Sequence, residues 1–353
     1  MKPSKVKRGI LPVGRPSNQM KGVVPQGHFL LRDNIVKKDN LFGLPKKEKA
    51  KWAKGLGLPS RGERILFAGC GYQYMAYAET LLESVRNVES KGVDVDRAVS
   101  FVRTFQKVGL NLAGLMAKLP LRKGEDSYTP VLLDAVQVLR KLGVNFAYLG
   151  EEEPCCGSPI YYSGFLKDFS RKAEETYGQL KSLGVREVIG LVPACTNTLK
   201  NVYPKYIEDY DLKVEYFLEF VARVLREKKV KLRFDGEITV HDPCQVARYL
   251  ELSHVLREIL GKIEGLKVRE VATSMEATAC CGGGGGMELT YPELSLKVAV
   301  NRVKELASTG VDTIVTCCPG CMLQLREGAK ILGLNLKVVD AVQLLNAALV
   351  GEA

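Results

Sequence analysis

Cysteine is the residue type with the most evident chemistry in this chain, because its ten copies are grouped rather than scattered. They lie at positions 70, 155, 156, 195, 244, 280, 281, 317, 318 and 321. Thiolates are ligands for zinc and for iron–sulfur clusters. Neighbouring cysteines such as Cys280 and Cys281 rarely bridge each other, because a disulfide is strained across one peptide bond. Metal binding is therefore the first hypothesis.

The composition agrees with a reducing, cytoplasmic location. The 353 residues are 46% hydrophobic and 26% charged, as in globular proteins. No apolar run approaches the ~18 residues of a membrane span. The N-terminal MKPSKVKRGILPVGRPSNQ is basic but lacks the apolar core of a signal peptide. We therefore predict a cytoplasmic protein, in which thiols stay reduced.

The formal net charge of +11 does not by itself indicate a nucleic-acid partner. Its basic clusters, such as Lys37–Lys38 and Lys228–Lys229, are short. Aromatic residues are not interleaved with them, as a platform for stacking bases would require. We predict no nucleic-acid binding and a basic surface suited to acidic protein partners.

Short apolar runs that predict buried strands precede the cysteine groups. They are RILFAG before Cys70, VNFAYLGEEEP before Cys155 and Cys156, REVIGLVPA before Cys195, EITVHDP before Cys244, KVREVATSMEATA before Cys280 and Cys281, and VDTIVT before Cys317 and Cys318. Helical patterns such as AEETYGQLKSLG and LSLKVAVNRVKELASTG lie between them. Alternating strands and helices predict an α/β fold with parallel sheets and flanking helices.

The order of strands, helices and cysteines occurs twice, which predicts a duplicated fold. Cys155 and Cys195 are 40 positions apart, as are Cys281 and Cys321. We predict an N-terminal arm and short helix at 1–60, a first lobe at 61–236 with an insertion at about 88–130, and a second lobe at 237–353. Since ligands bind beyond the carboxyl ends of parallel strands, each lobe is expected to hold one cluster there.

Iron–sulfur chemistry explains the thiols better than zinc does, although a zinc-stabilised scaffold remains an alternative. Structural zinc usually has paired Cys-x-x-Cys knuckles, and only Cys318-Pro-Gly-Cys321 has that form. The set of Cys244, Cys280, Cys281, Cys318 and Cys321 supplies five thiolates, one more than tetrahedral zinc takes. The glycines after Cys281, namely Gly282, Gly283 and Gly284, would let backbone N–H groups approach cluster sulfur. A flexible loop is the alternative for them.

HDPC at 241–244, CCGGGG from 280 and CPGC at 318–321 together resemble the cysteine-rich CCG domain. This domain occurs in the B subunit of heterodisulfide reductases, in the catalytic half of their D subunit, and in glycolate- and lactate-oxidase iron–sulfur subunits. GEEEPCCG, NTLKNVYP and HDPCQVARY extend the resemblance over roughly residues 61–345.

The resemblance implies two 4Fe–4S clusters, the one in the second lobe being noncubane. Its implied ligands are Cys244, Cys280, Cys281, Cys318 and Cys321. In the first lobe Val192 stands where the family has the first cysteine of its CxxC pair. The thiols left there are Cys70, Cys155, Cys156 and Cys195, which suit a cubane or a modified noncubane cluster. Cys317 is a spare core cysteine, an alternative ligand or a resolving thiol.

Other residues near the cysteines carry weaker predictions. His241 is a candidate proton or hydrogen-bond donor to the cluster, with a purely structural role as the alternative. His28 has no predicted role, and Glu151 to Glu153 are expected in a solvated turn. The insertion contains the amphipathic VSFVRTFQKVGLNLAGLMAKLP. It could dock a partner, contact a membrane surface peripherally, cover the cluster or merely elaborate the surface.

By resemblance, the function is that of an oxidoreductase subunit similar to heterodisulfide reductase. A ferredoxin-like subunit, fed by a flavoprotein, would supply electrons, because residues 1–60 contain no ferredoxin motif. The second-lobe cluster would then reduce a disulfide or a similar acceptor. The alternative is a non-catalytic electron-wire subunit of a quinone- or flavin-linked dehydrogenase complex.

Overall fold

A computed structural model describes residues 24–107 and 126–352 of the chain and shows an α/β fold. Within those residues, the strands form two sheets. The strands are β1 Arg64–Phe67, β2 Glu187–Gly190, β3 Lys213–Tyr216, β4 Val230–Val240, β5 Ile263–Arg269, β6 Thr313–Thr316, β7 Lys337–Asp340 and β8 Leu349–Glu352.

Both sheets are built around parallel strands in a similar order, as the strand–helix alternation predicts. The first sheet has the order β1-β2-β3, and the second has the order β5-β4-β6-β7. Beside β1, Ala147 forms a parallel bridge to Ile65, in the place that β5 takes beside β4. The departure is β8, which pairs antiparallel with the start of β4.

Two predicted strands are shorter than their apolar runs. VNFAYLG contributes a single bridge, because the Ala147 N–H donates to Arg64 while the next N–H, of Tyr148, turns to the carbonyl of Pro59. β5 ends at Arg269, ten residues before Ala279. A 3₁₀ turn at Met275–Ala277 then leads into Cys280.

Helices cover the sheets and connect their strands. The first group is α1 Gln26–Lys38, α2 Lys46–Ala50, α3 Gly69–Ser90, α4 Val95–Lys107, α5 Thr129–Lys141, α6 Ser158–Tyr162, α7 Leu166–Ser182, α8 Pro193–Asn197, α9 Tyr203–Tyr206 and α10 Phe217–Glu227. The second group is α11 Ser253–Leu260, α12 Met287–Thr290, α13 Pro292–Ala307, α14 Pro319–Ile331 and α15 Ala341–Ala348. Short 3₁₀ turns lie at Lys51–Ala53 and Gly150–Glu152, and π-helical turns lie at Thr198–Val202 and Gln245–Tyr249.

The N-terminal region is more helical than the predicted arm. α1 buries Leu30, Leu31 and Ile35, so its apolar residues share one face of a helix. Val99 of α4 packs with Leu30, Leu31 and Leu289, which places the start of the insertion on the body of the protein. The remainder of the amphipathic segment, from 108 onwards, lies outside the described residues. Among the described helices, none is long and apolar enough to cross a membrane.

Buried polar contacts join the two sheets across a shared core. The Tyr72 hydroxyl donates to Asp340 at 2.6 Å, and the Tyr216 hydroxyl donates to the carbonyl of Cys317 at 3.1 Å. Burial raises the pKa of Asp340 to about 6, although the hydrogen bond from Tyr72 lowers it. β4 crosses the predicted boundary between 236 and 237, and the division into lobes stays a prediction.

A matched pair of glycines tests the packing of α13 on α14, which supports the second sheet. A Cβ on Gly328 would lie 2.9 Å from Val303 Cγ2 and 3.0 Å from the Ala299 carbonyl oxygen, whereas one on Gly178 of α7 would meet nothing within 4 Å. We expect G328A to lower the free energy of unfolding by about 1–3 kcal/mol through overpacking. G178A should raise it by up to about 1 kcal/mol, because alanine favours a helix interior. Anaerobic chemical denaturation measures both, and a G328A protein as stable as G178A would contradict the packing.

Candidate metal centre

Cys244 and Cys318 reach one edge of the second sheet because their strands are neighbours. β4 and β6 pair in parallel through Thr239–Ile314 and Val240–Val315, and the His241 N–H continues the pairing to the Val315 carbonyl at 2.9 Å. Cys318 then caps the start of α14, and Cys321 lies on its first turn. The carboxyl ends of these strands thus deliver three of the five predicted second-lobe thiols.

Asp242 of the HDPC motif holds the loop that brings Cys280 and Cys281 to the same edge. Its carboxylate accepts the Met275 N–H at 2.8 Å, and its carbonyl accepts the Thr278 hydroxyl at 2.9 Å. Arg257 forms a two-pronged ion pair with the same carboxylate, with Nη2 2.8 Å from Oδ2. The motif alone predicted no role for Asp242, because its partners are 15 and 33 positions away.

The five second-lobe thiols form one group, which we call the second-lobe site. Interaction with Cys280, then with Cys321, lowers the pKa of Cys281 well below its usual range. The partner thiols show the opposite shift, since interaction with Cys281 raises the pKa of Cys321, which also contacts Cys318. Burial raises the pKa of Cys244, and the charges of the nearby Cys318 and Cys281 raise it further.

His241 lies against this group. One nitrogen of His241 and the sulfurs of Cys281 and Cys321 all lie within 4.8 Å of one another, and all three residues are buried. Of the predicted catalytic residues, the structure therefore places His241 beside the second-lobe thiols.

Glycine is required at several positions after Cys281, and the reason differs from one position to the next. The Gly282 N–H donates to the Cys280 sulfur at 3.3 Å, and a Cβ there would lie 2.2 Å from the Ser295 carbonyl oxygen. Gly283 is packed against Glu288, with 2.7 Å from a Cβ built there to Oε1. The Gly284 N–H donates to that same carboxylate at 2.7 Å rather than to sulfur.

The N-terminal helix α1 packs on the far end of this glycine loop. His28 Nε2 lies 2.9 Å from the Gly285 carbonyl oxygen. A Cβ on Gly286 would lie 2.7 Å from Leu31 Cδ1. His28, which had no predicted role, thus contacts the loop beside the second-lobe site. No spacing signal links residues 257 positions apart.

Four thiols form a second group beside the first sheet, which we call the first-lobe site. Cys70 lies in the first turn of α3 shortly after β1, and Cys195 lies in α8 after β2. Interaction with Cys156 and Cys70 lowers the pKa of Cys155 well below its usual range. Cys156 interacts in turn with Cys195, so the contacts link all four thiols.

A partly buried ion pair holds the Cys155 backbone in the first-lobe site. Asp39, at the end of α1 with φ 58°, accepts the Cys155 N–H at 2.9 Å and pairs with Lys172. Although burial opposes the charged ammonium, Asp39 and Cys155 raise the pKa of Lys172. Neither Asp39 nor Lys172 was predicted, because they meet only through the tertiary fold.

Glu153 corrects the expectation of a solvated turn at 151–153. Its side chain is buried, and its carboxylate accepts the N–H groups of Ala68 and Gly69 at 2.8 and 2.9 Å. Burial raises the pKa of Glu153 to about 7, against the charge of Lys49, which lowers it. Glu153 therefore ties the turn before Cys155 to the turn that carries Cys70, while Glu151 and Glu152 are exposed as predicted.

Val192 lies in the first-lobe site at the position where the family resemblance puts a cysteine. It is 6% exposed, and a Cβ on Gly69 would lie 2.9 Å from Val192 Cγ2 and 3.2 Å from Cys195 Sγ. An apolar side chain thus stands beside the four thiols.

The two sites differ in their access to solvent. Cys155, Cys156 and Cys195 are buried, and Cys70 is partly buried. In the second-lobe site Cys280 is exposed, and Cys244 and Cys318 are partly buried. An external molecule can therefore reach sulfur more readily in the second-lobe site.

Cys317 lies in the core and does not join the thiols of the second-lobe site. It is 1% exposed and contacts the Tyr216 hydroxyl, and burial raises its pKa well above the usual range. This surrounding agrees with a core cysteine among the three predicted alternatives.

A short hydrogen-bond chain connects the two sites. The Tyr162 hydroxyl accepts from Asn197 Nδ2 at 2.8 Å and donates to Gln245 Oε1 at 3.1 Å. Asn197 is two residues from Cys195, and Gln245 follows Cys244. Each of these two cysteines is followed closely by a π-helical turn, a rare geometry that is frequent at functional sites.

The donor sets fit sulfur-ligated metal centres. Crowded thiolates repel one another, and a bound cation would relieve that repulsion. Four thiols suffice for a cubane iron–sulfur cluster or for zinc, whereas five exceed the needs of tetrahedral zinc. The residues present therefore fit one centre per site, with iron–sulfur chemistry favoured where five thiols meet.

Comparison with known protein families matches one domain model to the chain twice. The family model of the cysteine-rich CCG domain matches residues 121–200 and 238–326. The chain is 34% identical over 219 residues to the D subunit of the dihydromethanophenazine:CoB–CoM heterodisulfide reductase of Methanosarcina mazei, a match that covers 60% of this chain and 54% of that protein.

Two further relatives are named as oxidoreductases. The probable iron-sulfur-binding oxidoreductase FadF of Bacillus subtilis is 26% identical over 72% of this chain and 37% of its own length. The EtfAB:quinone oxidoreductase of Syntrophomonas wolfei is 30% identical over 63% of this chain and 32% of its own length. The matches thus span about half the length of these curated relatives or less.

Gly282 offers a test of the second-lobe site that leaves every thiol in place. We expect G282A to lose about half of the bound iron per chain, because the new Cβ would collide with the Ser295 carbonyl at a φ of +89°, which also disfavours alanine. G285A is the control, since its φ is +63° but nothing lies within 4 Å of a Cβ there. Anaerobic iron assays compare the two purified variants. Full iron content in G282A would show that this loop does not shape a metal centre.

Proposed function

We propose that the chain, which the model of the cysteine-rich CCG domain matches in two segments, is an iron–sulfur electron-transfer and catalytic subunit similar to those of heterodisulfide reductases. The first-lobe site would hold a 4Fe–4S cluster through Cys70, Cys155, Cys156 and Cys195. The second-lobe site would hold a noncubane 4Fe–4S cluster through Cys244, Cys280, Cys281, Cys318 and Cys321. These clusters would supply one-electron redox chemistry.

The proposed direction of electron flow rests on the difference in solvent exposure between the two sites. A buried centre suits storage and relay of electrons, because it excludes competing reactants. An exposed centre suits contact with an acceptor. We therefore assign the relay role to the first-lobe site, with three buried thiols, and the acceptor role to the second-lobe site, with Cys280 exposed.

Reduction of a disulfide is the reaction that this arrangement supports best. Cleavage of RS–SR into two thiols takes two electrons and two protons. Two one-electron centres joined by the Asn197–Tyr162–Gln245 contacts could supply the electrons in sequence. The name of the Methanosarcina mazei relative, a heterodisulfide reductase, supports this substrate class.

The electrons would come from other subunits. We propose a ferredoxin-like iron–sulfur partner and, behind it, a flavoprotein. The assembly would work in the cytoplasm, where thiols stay reduced. The basic surface implied by the net charge of +11 suits an acidic partner, and peripheral contact with a membrane surface agrees with the same charge.

A non-catalytic electron-wire subunit is the second candidate. The Syntrophomonas wolfei relative supports it, because that protein is named as a quinone oxidoreductase. Val192 also supports it. The resembled disulfide reductases use two five-cysteine sites, whereas the first-lobe site here has four thiols.

Metal analysis and electron paramagnetic resonance separate these functions. The purified protein should contain about eight iron and eight acid-labile sulfide per chain, since each of two 4Fe–4S clusters holds four of each. After oxidation in the presence of coenzyme M, the catalytic function predicts a paramagnetic signal that is absent without thiol. The control is the same oxidation in buffer that contains no thiol.

Each outcome excludes a candidate. Zinc without sulfide would remove both iron–sulfur functions and leave the zinc scaffold. Full iron and sulfide with a signal that is identical with and without thiols would favour the electron wire. A thiol-dependent signal would favour reduction of a disulfide at the second-lobe site.

A further inference from the structure

Arg302 of α13 is a buried arginine whose guanidinium is fixed by several contacts beside the second-lobe site. Its side chain is 0% exposed. Nη1 donates to the Thr273 carbonyl and hydroxyl at 3.0 and 2.7 Å and pairs with Glu305 at 2.7 Å. The remaining contact is to His241, where Arg302 Nε lies 3.0 Å from Nδ1. A buried arginine is costly unless it is paired, so Glu305 compensates the charge and Nε is left to act on His241.

This contact determines which nitrogen of His241 carries hydrogen. Arginine stays protonated and has no acceptor, so His241 Nδ1 must accept and must present its lone pair. An imidazole whose Nδ1 is an acceptor carries its proton on Nε2. Nε2 is buried and has no hydrogen-bond partner among the described residues. Because Arg302 occupies Nδ1, Nε2 is the nitrogen left for Cys281, with which the His241 side chain interacts.

The tautomer separates two roles that distance alone leaves open. A nitrogen within 4.8 Å of the sulfurs of Cys281 and Cys321 could belong to a metal ligand or to a hydrogen-bond donor. A protonated Nε2 has no free lone pair and cannot bind a metal. It can donate to a thiolate or sulfide, both of which are acceptors.

We propose that Arg302 is a positioning residue that fixes His241 as a hydrogen-bond donor to sulfur of the second-lobe site and excludes it as a metal ligand. This inference rests on the proposed function, because it requires a cluster at that site. Hydrogen bonds to cluster sulfur make reduction easier by stabilising the added negative charge. The contact between Arg302 and His241 therefore raises the reduction potential of the second-lobe cluster.

Electron–nuclear double resonance on the wild-type protein tests the assignment without any substitution. The chain has three histidines, so labelling histidine with ¹⁵N gives few signals. In the paramagnetic state of the second-lobe cluster, we expect a weak ¹⁵N coupling and a proton coupling that disappears in D₂O. H241F should remove that proton coupling. A strong ¹⁵N coupling of a bound ligand, or a proton pattern unchanged in H241F, would overturn the inference.

Redox titrations at one pH test the part played by Arg302. H241F and R302M should each shift the reduction potential of the second-lobe cluster to more negative values. For H241F we expect a tenfold change in the reduction equilibrium, which corresponds to about 59 mV for one electron. R302K should retain most of the wild-type potential, because an ammonium also only donates. R326M is the control, since Arg326 is an arginine of the same lobe that donates to the Val338 carbonyl and not to His241.

A double variant distinguishes positioning from simple charge. If Arg302 acts through His241, H241F/R302M should have the potential of H241F alone. Additive shifts, or equal shifts in R302M and R326M, would show that Arg302 acts only as a cation and would overturn its positioning role. Absence of any iron–sulfur signal in the wild type would instead refute the proposed function, and the inference with it. Should R302M fail to fold, the wild-type resonance measurement still decides the assignment of His241.

Discussion

The crowding of sulfur at the carboxyl ends of parallel strands is the constraint on which the rest of the structure depends. Thiolates placed side by side in a poorly polarisable interior repel one another, so such a group persists only with shared protons or a central cation. In both sites one thiol, Cys155 or Cys281, has a lowered pKa, and its neighbours have raised ones. The same sharing of charge in two places follows from the similar strand order of the two sheets.

The surroundings of the two groups differ although their strands are alike. Asp39, Lys172 and Glu153 hold the first-lobe site in a buried network that extends to the N-terminal helix. At the second-lobe site His241 lies beside the buried thiols and Asp242 holds the loop that leads to Cys280, which is exposed. This difference in surroundings is the basis of our proposal that the first-lobe site relays electrons and the second-lobe site meets the acceptor.

The amino-acid sequence was informative where residues act through local spacing and uninformative where they act through tertiary contact. Apolar runs before the cysteines predicted the parallel strands, and the repeated order predicted two thiol groups. Glu153 was wrongly expected in solvent, because a run of three acids gives no sign that one of them caps Ala68 and Gly69. Arg302 was missed because its helix pattern is ordinary and its partner, His241, is 61 positions away. The assignment of individual thiols as cluster ligands stays a proposal, because it depends on the bound metal.

X-ray diffraction from crystals of the anaerobically purified protein, recorded on both sides of the iron absorption edge, tests the central claim most directly. The account predicts two separate groups of iron peaks, one within bonding distance of Cys70, Cys155, Cys156 and Cys195, and one within bonding distance of Cys244, Cys280, Cys281, Cys318 and Cys321. The sulfur of Cys317 should carry no iron. A single group, iron at other residues, or peaks at the zinc edge instead would contradict it.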